Sequence, residues 1–235
     1  MSHRWAAVVT YSMCIFLTAA CSAVPREDPG AAGVAASPTA APAAVAAGCE
    51  PAVMPTVTKA FDAFTPASQQ RSQPSEVPIL EGKTRVARVG DLALAGGFSV
   101  KAPRAEPPGR QLQDVLVSGE GSAAEPYFVA LYYAAKPLGA SESVRDFLAR
   151  DGIFVTQKYA GDAGTADDVV SELGDRAVRV KVGPYDAALV HGDPIGSDDV
   201  RPYSLYWSDG TYDWSVIGRA APEQVMDVGR SVACR

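Results

Sequence analysis

The sequence predicts an α+β fold built on a mostly antiparallel sheet. Three observations point to this class: an uninterrupted apolar segment at 127–133, two hairpin patterns in the last third of the chain, and an amphipathic helix near the C-terminus. The chain has 235 residues, of which 47% are hydrophobic, so it is long enough to bury a substantial core. Its net charge of −6 argues against the basic surface that nucleic-acid binding requires.

The first 20 residues have the layout of a bacterial lipoprotein signal peptide. One Arg lies within residues 1–4, residues 5–20 carry no charge, and small residues precede Cys21. Residues 17–21, Leu-Thr-Ala-Ala-Cys, resemble a lipobox, whose cysteine is diacylated before the signal is cleaved. The resemblance implies lipidation of Cys21 and a protein anchored to the extracytoplasmic face of the cell membrane.

Two other outcomes are open for this segment. The charge-free residues 5–24 are just long enough for an uncleaved helix across the membrane. Cleavage nearby without acylation would instead secrete the protein and leave Cys21 as a thiol. The cysteine count favours acylation, because Cys14 leaves with the signal peptide and Cys49 and Cys234 then remain as an even pair.

Residues 21–47 are predicted to be a flexible tether that follows the lipidated cysteine. Eleven Ala and four Pro in residues 22–47 leave almost no large apolar side chain, so this segment cannot form a core. We expect a single extracytoplasmic α+β domain over residues 48–235. In an oxidising compartment its two cysteines, Cys49 and Cys234, are predicted to form a structural disulfide, since neither has a C-x-x-C partner or a nearby His.

The first half of this domain combines irregular segments with short strands. Four prolines interrupt residues 53–81, so no regular element is expected there. Residues 127–133 are apolar at every position, which predicts a central strand covered on both faces. A helix is expected between a cap at Ser141 and a stop at Gly152. The other strands of this half are predicted at 84–89, 97–101, 111–117 and 153–159.

Two hairpin patterns follow, and each can be paired residue by residue. Residues 177–182 and 185–190 flank Gly183-Pro184, which fits a type II′ turn because Gly accepts a positive φ. The resulting register pairs Val180 with Ala187 on an apolar face and Lys181 with Asp186 on the opposite face.

The second hairpin places residues 203–208 opposite 211–217. Its Asp209-Gly210 pair is typical of a two-residue type I′ loop, and the register then pairs Trp207 with Tyr212 and Leu205 with Trp214. This arrangement directs most aromatic side chains inward. A helix over Pro222–Ala233 follows, with the apolar stripe Val225, Val228 and Val232 expected to pack on the sheet.

The order of four features resembles that of exported bacterial domains of unknown function. These features are FSVKAP at 98–103, the apolar strand at 127–133, YWSDGTYDW at 206–214 and the helix that begins at Pro222. Similar domains occur in membrane-anchored anti-sigma-associated proteins and in lipoprotein-carrier-like proteins, so the resemblance suggests an actinobacterial-type membrane lipoprotein. It implies a strongly curved antiparallel sheet with about two helices on one face, which in some members holds a lipid or a peptide.

Few residues favour catalysis or metal binding. His191 is the only histidine left after signal removal and no G-x-S-x-G motif accompanies it, so we interpret it as a strand-end residue at the rim of the core. The loops at 161–168 and 192–199 carry three Asp each, but neither has calcium-loop spacing, and solvated turns are favoured over a calcium site. We predict no catalytic residue, no cofactor and no metal site.

Two functions therefore remain open. The first is a lipid-anchored, non-enzymatic envelope module that binds a hydrophobic small molecule or an envelope protein. The second is a carboxylate-based hydrolase acting on cell-wall or polysaccharide material, which rests on the envelope location and the 27 Asp and Glu residues.

Overall fold

Eight strands form one open sheet in which all neighbouring strands are antiparallel. The computed structural model describes residue 49 and residues 78–86, 88–92, 94, 97–122, 126–161, 164–194 and 201–234, so the predicted signal peptide, Cys21 and the tether lie outside the described residues. The strands are β1 (Thr84–Val86), β2 (Gln111–Ser118), β3 (Phe128–Ala134), β4 (Gly152–Tyr159), β5 (Ala177–Val182), β6 (Tyr185–His191), β7 (Tyr203–Ser208) and β8 (Tyr212–Gly218).

Two four-stranded meanders meet in the middle of this sheet. The spatial order is β1-β2-β3-β4-β8-β7-β6-β5, so the meanders join where β4 pairs with β8. The junction runs from Ile153 opposite Gly218 to Tyr159 opposite Tyr212. The antiparallel α+β class predicted from the sequence is confirmed.

Three described α-helices cover the two faces of the sheet: α1 (Val144–Leu148), α2 (Ala166–Leu173) and α3 (Pro222–Ala233). We call face A the side that carries Leu205 and Val216, and face B the side that carries Ile217; side chains alternate between the two along each strand. The apolar stripe of α3 packs into the face A cluster. α1 packs with Ile217 on face B.

The third helix, α2, has no counterpart in the sequence prediction. It packs on Ala188 and Val190 of β6, which lie on face B. α1 and α3, the two helices that the sequence does predict, contact opposite faces. α2 is the helix that shares a face with α1.

The burial of β3 follows from this two-sided covering. All seven of its residues are buried, as the continuous apolar sequence predicts. Leu131 contributes to the face A cluster, whereas Tyr132 packs under α1 on face B. β3 is an interior strand of the sheet, and the two central strands are β4 and β8.

The first hairpin has the predicted register. Val180 lies opposite Ala187 and Lys181 opposite Asp186, with the Lys181 ammonium 2.9 Å from the carboxylate. Gly183 has a φ of +58°, which the short turn requires. The turn and the alternating pattern together specify this pairing.

The second hairpin keeps its predicted faces but not its predicted pairs. Trp207 lies opposite Trp214 and Leu205 opposite Val216, a shift of two residues from the expected register. The cause is a wider loop, closed by a hydrogen bond of 3.0 Å from the amide of Asp209 to the carbonyl of Tyr212. Because side chains repeat every second residue, a shift of two leaves the aromatic rings on face A.

Some predicted boundaries are corrected locally. α1 is capped by Ser143 rather than Ser141, because Ser143 and Asp146 form a reciprocal capping box. Residues 97–101, predicted as a strand, belong to no strand of the sheet, and Gly97 is a turn residue with a φ of +74°. The bounds of α3 are those predicted. None of the described helices is long and apolar enough to cross a membrane.

Candidate functional site

A segment without regular secondary structure crosses face A at the junction of the two meanders. We call residues 98–104 the strap. Gln157 of β4, only 2% exposed, donates from Nε2 to the carbonyl of Ser99 at 2.7 Å and accepts from the amide of Lys101 at 3.0 Å. One buried side chain thus bonds the strap main chain at two alternate residues, which is the spacing of a β-strand ladder.

The first strap residue is an apolar anchor. The ring of Phe98 is buried and makes edge contacts with Tyr159 and Tyr212, at 5.1 Å in each case, and with Tyr127 at 5.8 Å. The hydroxyl of Tyr212 also accepts a hydrogen bond of 3.1 Å from the amide of Ser99. Aromatic pairs at these separations are favourable beyond the area that they bury.

Three residues further along, Lys101 enters an anionic and aromatic pocket. Its ammonium lies 3.1 Å from Oδ2 of Asp209. It also lies 5.7 Å from the ring centroid of Tyr212 and 5.6 Å from that of Trp214. Both distances are within the range of cation–π attraction, so the pocket attracts a positive charge by two mechanisms.

Asp209 is held in place by the loop that closes the second hairpin. Its Oδ1 accepts the amides of Thr211 and Tyr212 at 2.9 and 2.7 Å, and its Oδ2 accepts the indole N–H of Trp214 at 3.1 Å. Burial acts to raise the pKa of Asp209, but the backbone amides, Lys101 and Trp214 together outweigh it and keep the pKa below its ordinary value. The pocket is therefore anionic at neutral pH.

The contacts of the strap have a common character. Between Phe98 and Lys101, the hydrogen bonds and the ion pair of the strap are made by the side chains of Gln157, Tyr212 and Asp209. The site therefore consists of fixed side chains on β4, on β8 and in the β7–β8 loop that bind an extended chain. Such an arrangement is suited to noncovalent recognition.

The predicted disulfide is present at one end of this site. The Cα atoms of Cys49 and Cys234 are 5.8 Å apart and their sulfurs are bonded, as the sequence predicts. The bond lies at the C-terminal end of α3, close to Gly183 in the turn between β5 and β6. Arg104, the last strap residue, donates to the carbonyl of Cys234. The strap, α3 and the disulfide thus meet at one corner.

His191 occupies the position expected of a strand-end residue. It is the last residue of β6 and is buried, and its Nδ1 lies 3.3 Å from the carbonyl oxygen of Gly192. Burial lowers the pKa of His191. Its surroundings are those of the core rim.

The two Asp-rich loops, both predicted as solvated turns, differ from each other in the structure. Thr165 and Asp168 form a capping box that starts α2, so the end of the first loop is helical rather than a solvated turn. In the second loop Asp193 lies 3.9 Å from Arg176, and Asp198 is outside the described residues. Within the described part of the chain, no group of three or more His, Cys, Asp or Glu side chains is arranged to hold a metal ion.

Sequence reasoning did not find the side chains that form this site. The sequence does single out Gln157, because it is a polar residue on the face of β4 that otherwise carries Ile153, Val155 and Tyr159. The turn preference of Asp209 predicts a loop residue and gives no indication that its carboxylate binds a lysine. Nothing in the local sequence connects residues 99 and 157.

Comparisons with known proteins do not extend this description. No family model matches the chain, and no curated protein or solved structure matches it. The resemblance to anti-sigma-associated and lipoprotein-carrier-like domains therefore stays a prediction from the sequence motifs.

Proposed function

We propose that this protein is a lipid-anchored module of the cell envelope that binds a partner without catalysing a reaction. The observation that carries the proposal is the way in which Gln157 and Asp209 bind the strap through main-chain hydrogen bonds and a lysine contact. These are recognition contacts, fixed by the sheet and by the hairpin loop.

The envelope location rests on the sequence of the first 47 residues. The lipobox-like segment ending at Cys21 favours an acylated N-terminus, and the Ala/Pro-rich tether would hold the domain outside the membrane. The bond between Cys49 and Cys234 is consistent with an oxidising extracytoplasmic compartment. The proposal includes the strongly curved sheet with about two helices on one face that the motif resemblance implies.

The ligand class in this proposal is a hydrophobic small molecule or an envelope protein. The strap site favours a protein, because its polar contacts are to peptide groups and to a lysine side chain. Nucleic acid is not expected as a partner, since the chain carries a net charge of −6.

A carboxylate-based hydrolase of cell-wall or polysaccharide material is the alternative. Such an enzyme needs one carboxyl group with a raised pKa to protonate the leaving group. Asp209, the carboxylate of the strap site, has a lowered pKa instead. The contacts of this site therefore favour binding over hydrolysis.

The anchor can be tested by metabolic labelling with an acyl-chain analogue in a bacterial host. We expect label in the wild type and in Cys14→Ala, and none in Cys21→Ala, which should also leave the membrane fraction. Equal labelling of Cys21→Ala would contradict the lipid anchor.

The binding role can be tested by native purification followed by mass spectrometry of what remains bound. A stoichiometric peptide, protein or lipid is the expected result. Turnover of a wall polymer by the purified chain would contradict the proposal and favour the hydrolase.

A further inference from the structure

We propose that the strap occupies a peptide-binding groove, whose external ligand is an extended segment of a partner protein with an aromatic residue followed three positions later by lysine. This inference rests on the proposed binding function and names the partner class for the same site. The strap is then an internal copy of the ligand, with Phe98 and Lys101 in the two specific positions.

The main-chain contacts define the conformation that the groove accepts. Gln157 bonds the carbonyl of Ser99 and the amide of Lys101, and the Tyr212 hydroxyl bonds the amide of Ser99. These contacts use peptide groups only, so they do not depend on which side chains the ligand carries. Any extended segment can make them, as in the addition of a strand to a sheet edge.

The side-chain contacts define the sequence that the groove prefers. Three tyrosines surround the ring of Phe98, which favours an aromatic residue at this position. The Asp209 carboxylate and the rings of Tyr212 and Trp214 favour a cation three residues later. The chain direction and the spacing of these two pockets follow from the positions of Gln157 and Asp209.

Exchange of the strap for an external segment is chemically balanced. A ligand of this type re-forms the hydrogen bonds, the ion pair and the ring contacts that the strap gives up. The strap competes as a covalently linked ligand, whose effective concentration is on the order of millimolar. The strap occupies the groove of the wild type, so weakening the strap should increase the affinity for an external peptide.

The test uses the full-length protein in detergent micelles and a dye-labelled peptide with the strap sequence, Phe-Ser-Val-Lys-Ala-Pro-Arg. We expect Phe98→Ala/Lys101→Ala to bind this peptide at least about tenfold more tightly than the wild type does, because the internal competitor is weakened. Lys136→Ala, which removes an exposed lysine outside the groove, is the matched control and should bind like the wild type.

A changed peptide and a further protein variant test the lysine pocket separately from the main-chain contacts. A peptide with Gln in place of its Lys should bind the strap variant at least about tenfold more weakly, because it cannot pair with the carboxylate. Asp209→Asn, added to the strap variant, should remove this preference for lysine. Lack of binding by a strap variant that retains its disulfide and its cooperative melting would overturn the proposal.

Amide hydrogen exchange of the wild type tests whether the strap opens. The Ser99 and Lys101 amides should exchange at least about tenfold faster than the amide of Thr156 in β4, because strap opening does not require unfolding of the sheet. Exchange at the rate of global unfolding would overturn the proposal.

The oligomeric state gives a further test. A wild-type dimer that is lost in the strap variant would also overturn the proposal, since the occupant of the groove would then be a second copy of the chain. None of these measurements depends on acylation of Cys21, so a failure of the lipid anchor can be distinguished from a failure of peptide binding.

Discussion

The hydroxyl oxygens of Thr156 and Ser215 lie 2.6 Å apart on face B, where β4 pairs with β8. Both residues are buried. Their hydrogen bond crosses the junction at which the two four-stranded meanders meet, between the apolar pair Phe154 and Ile217 and the ion pair of Lys158 with Asp213 at 3.7 Å. The two halves of the sheet are therefore joined by a polar side-chain bond in addition to the backbone ladder.

Removing one partner of this bond should be costly. Thr156→Val removes the hydroxyl that pairs with the buried Ser215 hydroxyl, so we expect the free energy of unfolding to fall by about 1–3 kcal/mol. The double variant Thr156→Val/Ser215→Ala should lose less than the sum of the two single variants, because no orphaned hydroxyl remains. Urea unfolding of all four proteins measures this coupling. Strictly additive losses would show that the bond contributes nothing.

The disulfide should supply much of the stability of the domain. Cys49 and Cys234 are separated by 185 positions, and the loop-entropy model gives an upper value of about 5 kcal/mol for closing so long a loop. We expect Cys49→Ser/Cys234→Ser and the reduced wild type to unfold at similar, lower denaturant concentrations than the oxidised wild type. Identical midpoints with and without reductant would contradict this expectation.

Gly218 should not tolerate a side chain. A Cβ atom there would collide with the backbone carbonyl of Gly152 on the paired strand and lie 3.0 Å from Cγ1 of Ile153. We expect Gly218→Ala to lower the free energy of unfolding by about 1–3 kcal/mol. Gly161→Ala is the control, because a Cβ atom at that position has nothing within 4 Å. Equal stability of the two variants would be evidence against close backbone approach at this junction.

Asp209 should contribute a pH dependence in the acid range. Its pKa is lower in the folded state than its ordinary value of about 3.9, so the unfolded chain binds more protons between the two values. The stability that it contributes is present above about pH 4 and is lost as the pH falls through the lower folded-state pKa. Asp209→Asn should lack this part of the acid dependence.

Nuclear magnetic resonance can follow this titration directly. The indole N–H of Trp214 donates to Asp209, so its signal should shift with a midpoint below about pH 4 in the wild type and stay constant in Asp209→Asn. An unchanged Trp214 signal through this range in the wild type would contradict the assignment of the shift to Asp209.

The sequence predicts the elements whose determinants are local. The hairpin around Gly183 is confirmed in register because a two-residue turn and strict alternation both act over a few residues. The hairpin around Asp209 differs in register because its carboxylate binds two loop amides and the Trp214 indole, which turn preference alone does not reveal. The sequence does not predict α2, although Thr165 and Asp168 have capping-box spacing, because the Gly and Asp residues around them favour turns equally.

The candidate site is less predictable because it is assembled over long distances in the chain. Gln157 bonds residues that precede it by 56 and 58 positions, and Lys101 reaches a carboxylate 108 positions away. Hydrophobic periodicity reports which face a residue occupies, not which loop crosses that face. The strap accordingly has the local sequence pattern of a strand, but Gln157, Tyr212 and Asp209 bind it through side chains rather than through a strand ladder.

The position of the disulfide also determines where mechanical load would enter the domain. A pull on the chain before Cys49 passes through the sulfur–sulfur bond to the end of α3, which packs on β7 and β8 in the interior of the sheet. Without the bond, the same pull would act on Pro78 and Ile79, which bond Ser143 and Glu142, and then on β1, a three-residue edge strand. Under the proposed lipid anchor, the bond would direct a pull on the tether into α3 and the interior strands rather than into the edge strand.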